Sequence, residues 1–179
     1  MKKRTKILYF LGILFVFILV FQSQVYRFKG KKEISSEIKE KLSQLGKKAL
    51  LTKDVPVSAI LFYKDSIIGV GYNTVNKDSV LSGHAEINAL NMAFKSCGNL
   101  FSKLNRADLK LYSSFEPCEM CKGAIIHYNI KNVYFERTKP GISQIKSTFR
   151  SLIYELSKKR IDADSLQEKL FLRHPDYKK

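Results

Sequence analysis

The segment LKLYSSFEPCEMCKGAIIHYNIKNVYF, residues 109–135, contains a strand, a helix and a second strand in close succession. LKLYSSF (109–115) is typical of a strand, residues 118–129 are typical of a helix, and VYF (133–135) is a second short strand. Two strands joined through a helix pair in parallel, with the helix on one face of the sheet. The segment therefore predicts a parallel strand pair covered by a helix.

The residues before this segment extend the same pattern. Apolar residues recur every three or four positions over about residues 34–51, which predicts an amphipathic helix. Two β-rich runs, 57–63 and 67–72, are separated by three polar residues and predict a hairpin, and a helix over about 84–97 follows. This order of elements predicts an α/β fold, a three-layer α/β/α sandwich with a mixed central sheet.

The chain divides into three predicted parts. Residues 1–32 form an N-terminal hydrophobic segment with a basic hinge, residues 33–140 form the core, and residues 141–179 form a C-terminal extension. Two helices are predicted in this extension, over about 143–160 and 163–172. A length of 179 residues suits one full core with extensions rather than two domains.

The formal net charge of +16 is unevenly distributed. Residues 1–32 hold eight Lys or Arg and no acids, whereas residues 33–136 hold 13 basic and 11 acidic residues. The core is therefore nearly neutral, and the sequence lacks the Arg and aromatic run of an RNA-reading module. A nucleic acid is accordingly a less favoured partner than a small molecule.

The N-terminus has the features of a membrane anchor. Four cations precede fifteen consecutive apolar residues, 7–21. At about 1.5 Å per residue the run crosses a hydrocarbon core of roughly 30 Å only if the helix continues to residue 26. A cleaved signal peptide is the alternative, but residues 21–26, FQSQVY, offer no small-x-small cleavage site. We expect an uncleaved single-pass anchor over residues 7–26, and cations on both sides leave its orientation undecided.

Two helix starts carry residues suited to chemistry. His84 and Glu86 begin one helix, while Cys118 and Cys121 begin the next. Both helices follow strands, and the matching ends of parallel strands lie at one edge of a sheet, so the imidazole and the thiols can converge. Three such ligands with an open fourth position describe catalytic zinc, although the C-x-x-C pair alone also fits a structural zinc site or a redox pair. Zinc lowers the pKa of water, and Glu86 can then carry the proton to a departing amine.

The arrangement H-x-E…P-C-x-x-C is the signature of zinc-dependent nucleobase deaminases. Together with DVPVSAILFYKDSIIGVGYN (54–73) and GHAEINAL (83–90), residues 113–135 resemble the cytidine and deoxycytidylate deaminase superfamily. The resemblance covers about residues 34–136 and is closest to the tRNA adenosine deaminase and guanine deaminase branches. It implies a cytidine-deaminase-like fold and the following roles: His84, Cys118 and Cys121 bind Zn²⁺, Glu86 is the catalytic proton shuttle, and Asn73, Ala85 and His127 contact the substrate.

Three features depart from those branches. Residues 80–83, Val-Leu-Ser-Gly, replace the Asp-Pro-Thr of the loop that shapes the base pocket. The tRNA-acting enzymes have a fifth strand near the C-terminus, where residues 137–179 predict helices, and neither branch has a membrane anchor. The resemblance therefore carries the fold and the zinc chemistry to this chain, but not the substrate.

We expect a membrane-anchored, zinc-dependent hydrolytic deaminase that releases ammonia from a nucleobase, nucleoside or nucleotide, with a purine favoured. One alternative is a tRNA adenosine deaminase. Another is a catalytically inactive nucleotide-binding or scaffold protein on the same fold, against which the intact Glu86 argues. A redox protein that uses the two cysteines would bind no metal. The resembling families often form dimers, so a homodimer is the expected assembly.

Overall fold

A computed structural model describes residues 11–18 and 33–158, and every structural statement below concerns those residues. Residues 11–18 are helical and exposed. Within the described ranges, no helix combines the length and the apolar character needed to cross a membrane. Both ends of the predicted anchor over 7–26, and the whole predicted helix 163–172, lie outside the described residues.

Four strands form one mixed sheet. They are β1 (Ser58–Tyr63), β2 (Ser66–Tyr72), β3 (Leu109–Phe115) and β4 (Asn132–Arg137), in the spatial order β2-β1-β3-β4. β1 is antiparallel to both β2 and β3, whereas β3 and β4 are parallel. The hairpin and the parallel pair predicted from the sequence are therefore confirmed.

The longer helices after residue 33 are α1 (Ser36–Leu51), α2 (Ala85–Cys97), α3 (Glu119–His127) and α4 (Gly141–Ser157). Short helical turns cover Val75–Asp78, Leu100–Lys103 and Arg106–Asp108. Ser35 caps α1, because its hydroxyl oxygen accepts a hydrogen bond from the amide of Ile38 at 3.3 Å. The helix predicted over about 143–160 begins at Gly141 and ends at Ser157, with Lys158 as its extended C-cap residue.

The two faces of the sheet are both covered, since successive side chains of a strand point to opposite faces. On one face, Ile60 of β1 and Tyr112 of β3 pack against Leu42 and Leu45 of α1. The other face packs against α2 and α3, and its buried core includes Ala59, Leu61, Leu109, Leu111, Ala89, Ala93 and Ile125. The predicted three-layer α/β/α sandwich is confirmed.

The direction of the strands brings two helix starts together. Because β2 and β3 both run antiparallel to β1, their C-terminal ends lie at the same edge of the sheet. α2 follows β2, and α3 follows β3, so both helices begin at this edge. The sheet therefore places residues 84–86 near residues 118–121, although β1 lies between the two strands.

Gly71 allows α2 to lie directly on β2. A Cβ atom at this position would lie 2.1 Å from the carbonyl oxygen of Ala85 and 2.5 Å from the amide nitrogen of Ala89. A Cβ atom at Gly69, also in β2, would lie 2.1 Å from the carbonyl oxygen of Ala89, which is one turn further along α2. Only glycine permits so close an approach, which fixes where the first turn of α2 lies.

Candidate zinc and active site

The side chains of His84, Cys118 and Cys121 converge at the edge of the sheet where α2 and α3 begin. Nδ1 of His84 lies 3.4 Å from Sγ of Cys118 and 3.7 Å from Sγ of Cys121, and the two sulfurs are 3.5 Å apart. His84 and Cys118 occupy the N-cap positions of their helices. The predicted convergence of three potential ligands is confirmed in the described part of the chain.

These distances fit a tetrahedral zinc ion. With Zn–S bonds of about 2.3 Å and a Zn–N bond of about 2.0 Å, tetrahedral geometry requires separations of roughly 3.5 Å between nitrogen and sulfur and roughly 3.8 Å between sulfurs. The observed separations are within about 0.3 Å of these values. One imidazole and two thiols are the donor set of a zinc site that keeps its fourth position open for chemistry. The cluster thus fits Zn²⁺ as the cofactor.

The two thiols do not behave alike. A hydrogen bond from Cys121 lowers the pKa of Cys118 to about 4 against the effect of burial, with help from the amides of Cys121 and Met120 and from the ring of His84. The same bond raises the pKa of Cys121, as do its burial and the nearby charge of Glu86. Of the two thiols, Cys118 therefore gives up its proton more readily, and both would bind a divalent cation as thiolates.

Glu86 lies next to the cluster without belonging to it. Its side chain is 3% exposed, and Oε2 lies 3.5 Å from Sγ of Cys121. Burial is the main reason why the pKa of this carboxyl is raised above its ordinary value. A raised pKa makes this carboxyl a better proton acceptor than an ordinary one, as a proton shuttle requires.

Asn73 follows β2 at the same edge of the sheet. Asn73 is 8% exposed. Its backbone amide donates to the carbonyl of Val57 at 3.0 Å, and its side-chain Oδ1 accepts from the backbone amide of Val75 at 3.2 Å. The side chain is thus held by the loop that leads from β2 toward α2. Its predicted contact with substrate stays a prediction.

The structure places the other two predicted substrate residues differently. Ala85 is the first residue of α2 and is fully buried, with its methyl group in the core between the helix and the sheet. His127 is the last residue of α3, exposed and in edge contact with the ring of Tyr128. It lies six residues beyond Cys121, about 9 Å along the helix axis. Neither side chain joins the cluster, and their contact with substrate stays a prediction.

Three residues that support the site were not predicted from the sequence. Nδ2 of Asn88 donates to the carbonyl of Tyr72 at 2.8 Å, to the hydroxyl of Thr74 at 3.0 Å and to the carbonyl of Gly83 at 3.3 Å. This side chain ties α2 to both ends of the preceding loop. Its only sequence signal is an amide on the buried side of an amphipathic helix, which is too common to single out.

The other two supporting residues are acids. Glu116 is 5% exposed and accepts at 2.8 Å from the amide of Lys139, which connects the start of α3 to the segment after β4. Asp54 is 4% exposed and binds the backbone of residues 76 and 77. Glu116 stands beside the Pro-Cys pair in the quoted motif, and Asp54 stands directly before a Val-Pro pair. Burial, which only the structure shows, distinguishes both from surface acids.

A three-layer α/β/α domain with a His/Cys/Cys cluster and a buried glutamate defines the class of zinc-dependent deaminases. Residues 32–137 match the family described as the cytidine and deoxycytidylate deaminase zinc-binding region. The matched range covers more than half of the chain and includes the three residues of the cluster and the neighbouring Glu86. The chain belongs to this family.

Two relatives with established names share much of this region. The chain is 36% identical over 122 residues to the tRNA-specific adenosine deaminase of Haemophilus influenzae, a match over 65% of this chain and 68% of that protein. It is 39% identical over 82 residues to the tRNA-specific adenosine deaminase of Buchnera aphidicola subsp. Schizaphis graminum, over 46% of this chain and 52% of that protein. The matches thus span about half to two thirds of the length of these relatives.

The fold also has a solved counterpart. The guanine deaminase of Bacillus subtilis superimposes with a TM-score of 0.61 over 82% of this chain and 99% of that chain, at 22% sequence identity. At this identity the likeness concerns the fold alone. It confirms the cytidine-deaminase-like architecture expected from the sequence.

Proposed function

We propose that this chain is a zinc-dependent hydrolytic deaminase that converts adenosine in tRNA. The observation that carries the reaction is the buried Glu86 carboxyl beside three converging zinc ligands. The substrate rests on the identity of 36% to a relative named as a tRNA-specific adenosine deaminase. This proposal adopts the alternative from the sequence analysis in place of the small purine that the sequence favoured.

The reaction adds water to the amidine-like carbon of the base and releases ammonia, so one carbon–oxygen bond forms and one carbon–nitrogen bond breaks. When bound, zinc supplies a Lewis acid that makes water a better nucleophile near neutral pH. Glu86 takes a proton from the water at Oε2 and gives it to the departing amine, which its raised pKa allows. Glu86 follows His84 by two residues in the first turn of α2, so the backbone that places this potential zinc ligand also places the carboxyl beside it.

A free purine base or nucleoside is the second candidate substrate. The near neutrality of residues 33–136, with 13 basic and 11 acidic residues, favours it over RNA. A protein that covers several phosphates normally presents an excess of Lys and Arg, because neutralising phosphates provides much of the affinity. The two substrates are therefore compared directly in one assay.

The assay supplies the zinc-loaded full chain with unmodified tRNA transcripts and, separately, with adenine, guanine, cytosine and their nucleosides. Ammonia release and the mass change of the base are measured. Conversion of adenosine to inosine in tRNA supports the proposal. Turnover of a free base or nucleoside with untouched tRNA would replace it with the small-molecule candidate, and a zinc-loaded chain that turns over nothing would favour the inactive scaffold.

Glu86→Gln tests the role of the carboxyl. We expect the variant to keep its zinc and to lose turnover by about 10²- to 10⁴-fold, because an amide of the same shape cannot accept the proton. Metal analysis and the ammonia assay measure the two properties separately. Glu37→Gln is the matched control, since Glu37 is an exposed acid in the first turn of α1 and should leave both unchanged. Equal turnover in wild type and Glu86→Gln would refute the mechanism.

We also propose that residues 7–26 tether the chain to a membrane and that the catalytic part, residues 33–140, lies outside the bilayer. The apolar side chains over residues 11–18 are exposed, as those of Ile13 and Phe15 show at 69% and 63%. Val16→Arg should release the protein from washed membranes, since a cation near the middle of a span costs about 2.5–3.5 kcal/mol. Equal retention of wild type and variant contradicts this tether.

A homodimer also stays a prediction, which sedimentation of the detergent-solubilised chain tests.

A further inference from the structure

Asp54 is a buried carboxylate that the proposed chemistry does not use. It lies between the end of α1 and the start of β1, with 4% of its side chain exposed. Its oxygens accept from the amide of Asn76 at 2.6 Å, from the hydroxyl of Thr52 at 2.7 Å and from the amide of Lys77 at 3.2 Å. Three donors from two separate segments therefore meet one carboxylate.

These bonds hold the short helical turn Val75–Asp78. The first amides of a helical turn have no partner inside the turn and need an acceptor from elsewhere. Thr74 stands at the N-cap position of this turn but makes no capping bond with its side chain. Asp54 supplies the missing acceptor from 22 residues away, which anchors the turn to the body of the domain.

The anchored turn is in turn connected to the site. The amide of Val75 donates to Oδ1 of Asn73 at 3.2 Å, and the carbonyl of Val75 accepts from the amide of Val80 at 3.2 Å. The amide of Thr74 donates to the carbonyl of Gly83 at 2.7 Å, directly before the zinc-cluster residue His84. A displacement of the turn would therefore move both Asn73 and the segment that leads into α2.

We propose that Asp54 is a positioning residue for substrate binding, which holds the turn Val75–Asp78 so that Asn73 is oriented toward the base before substrate arrives. This inference rests on the proposed function and on the predicted contact of Asn73 with the base. Asp54 itself touches neither the zinc cluster nor the reacting atoms in this arrangement. Because the loop is already ordered before substrate binds, binding does not lose the conformational entropy of ordering it, and the affinity is higher.

The test compares steady-state kinetics of Asp54→Asn with wild type on the converted substrate, with zinc content measured in parallel. Asparagine keeps the shape but loses the charge and one acceptor, so we expect KM to rise about fivefold, the effect of a typical lost cap, with kcat and zinc content nearly unchanged. Asp78→Asn is the matched control, because Asp78 is an exposed acid in the same turn and should change nothing. A lowered melting temperature with an unchanged KM overturns the proposal and leaves Asp54 a purely structural residue.

A double-mutant cycle identifies the path of the effect. If Asp54 acts through Asn73, then Asp54→Asn adds little to the KM of an Asn73→Ala variant, whereas multiplied effects would contradict that path. Should Asp54→Asn fail to fold, Thr52→Val removes one hydrogen bond to the same carboxylate and should raise KM in the same direction by a smaller factor. If Thr52→Val is the only variant that folds and its KM is unchanged, the proposal is contradicted.

A wild type that deaminates nothing overturns the proposed function rather than this inference. The positioning role then rests on hydrogen exchange at the amides of Thr74 and Val75, which bond to Gly83 and Asn73. Asp54→Asn should accelerate exchange at both amides, and Asp78→Asn should not. Unchanged exchange in Asp54→Asn would refute the positioning role independently of any substrate.

Discussion

Replacing Gly71 with alanine should displace the helix that carries His84 and Glu86. The added Cβ would lie 2.1 Å from the carbonyl oxygen of Ala85, whereas carbon and oxygen atoms rarely approach within about 3.0 Å. The amide nitrogen of Ala89 would lie 2.5 Å away. Both of these atoms belong to the backbone of α2, so no side chain can rotate away to relieve the contact. The first turn of α2 must therefore move by about 1 Å relative to β2.

Overpacking of this kind costs about 1–3 kcal/mol of folding free energy and sometimes more. The displacement also separates His84 from Cys118 and Cys121, which are 3.4 Å and 3.7 Å away and belong to another helix. A shift of about 1 Å at a catalytic group costs on the order of 10²-fold in rate. We therefore expect Gly71→Ala to lower the melting temperature, to weaken zinc binding and to reduce turnover together.

The assay combines calorimetric melting, zinc titration against a competing chelator and the ammonia measurement. Gly123→Ala is the matched control, since the added Cβ would meet no atom within 4 Å apart from its chain neighbours and the adjacent backbone of its own helix, and the residue is in the interior of α3. It should stabilise the chain by up to about 1 kcal/mol through helix propensity and leave zinc binding unchanged. If Gly71→Ala melts and binds zinc as wild type does, the reasoning from close helix–strand contact is wrong.

Two further predictions concern the zinc ligands and the anchoring acid. Cys118→Ser should lose zinc and melt at lower temperature, because tightly bound zinc contributes on the order of 10 kcal/mol of apparent folding free energy. Cys97 is a free, half-buried thiol outside the cluster, so Cys97→Ser should keep its zinc, as metal analysis will show. Retained zinc in Cys118→Ser would contradict the ligand assignment. Burial acts to raise the pKa of Asp54, but hydrogen bonds from Asn76, Thr52 and Lys77 outweigh it and hold this pKa below 3.8. Its carboxylate therefore adds stability that is fully present above pH 3.8 and is lost as the pH falls through the lower folded pKa. The difference in unfolding free energy between wild type and Asp54→Asn, from urea titrations, should shrink below about pH 4, and a difference that grows on acidification would contradict the sign.

The local pattern of the sequence determined most elements and which residues form the cluster that fits zinc. Periodicity reflects which face of an element is buried, so the helices around residues 34–51 and 84–97 and the strands of β3 and β4 were predictable one at a time. The spacing of Cys118 and Cys121 places both sulfurs on one turn at the start of α3, and this depends only on adjacent residues. The type of each ligand was likewise readable, because imidazole and thiolate are what zinc selects.

Tertiary structure alone decided which segments meet. The insertion of β1 between β2 and β3, the contact of Gly71 with α2 and the capping of residues 76 and 77 by Asp54 all join parts of the chain that are distant in sequence. His127 and Asn88 show the same limit, since one predicted site residue lies at the far end of α3 and one unpredicted amide holds the loop. Partners of this kind are chosen by burial and backbone hydrogen bonding over the whole domain, and no local period records them.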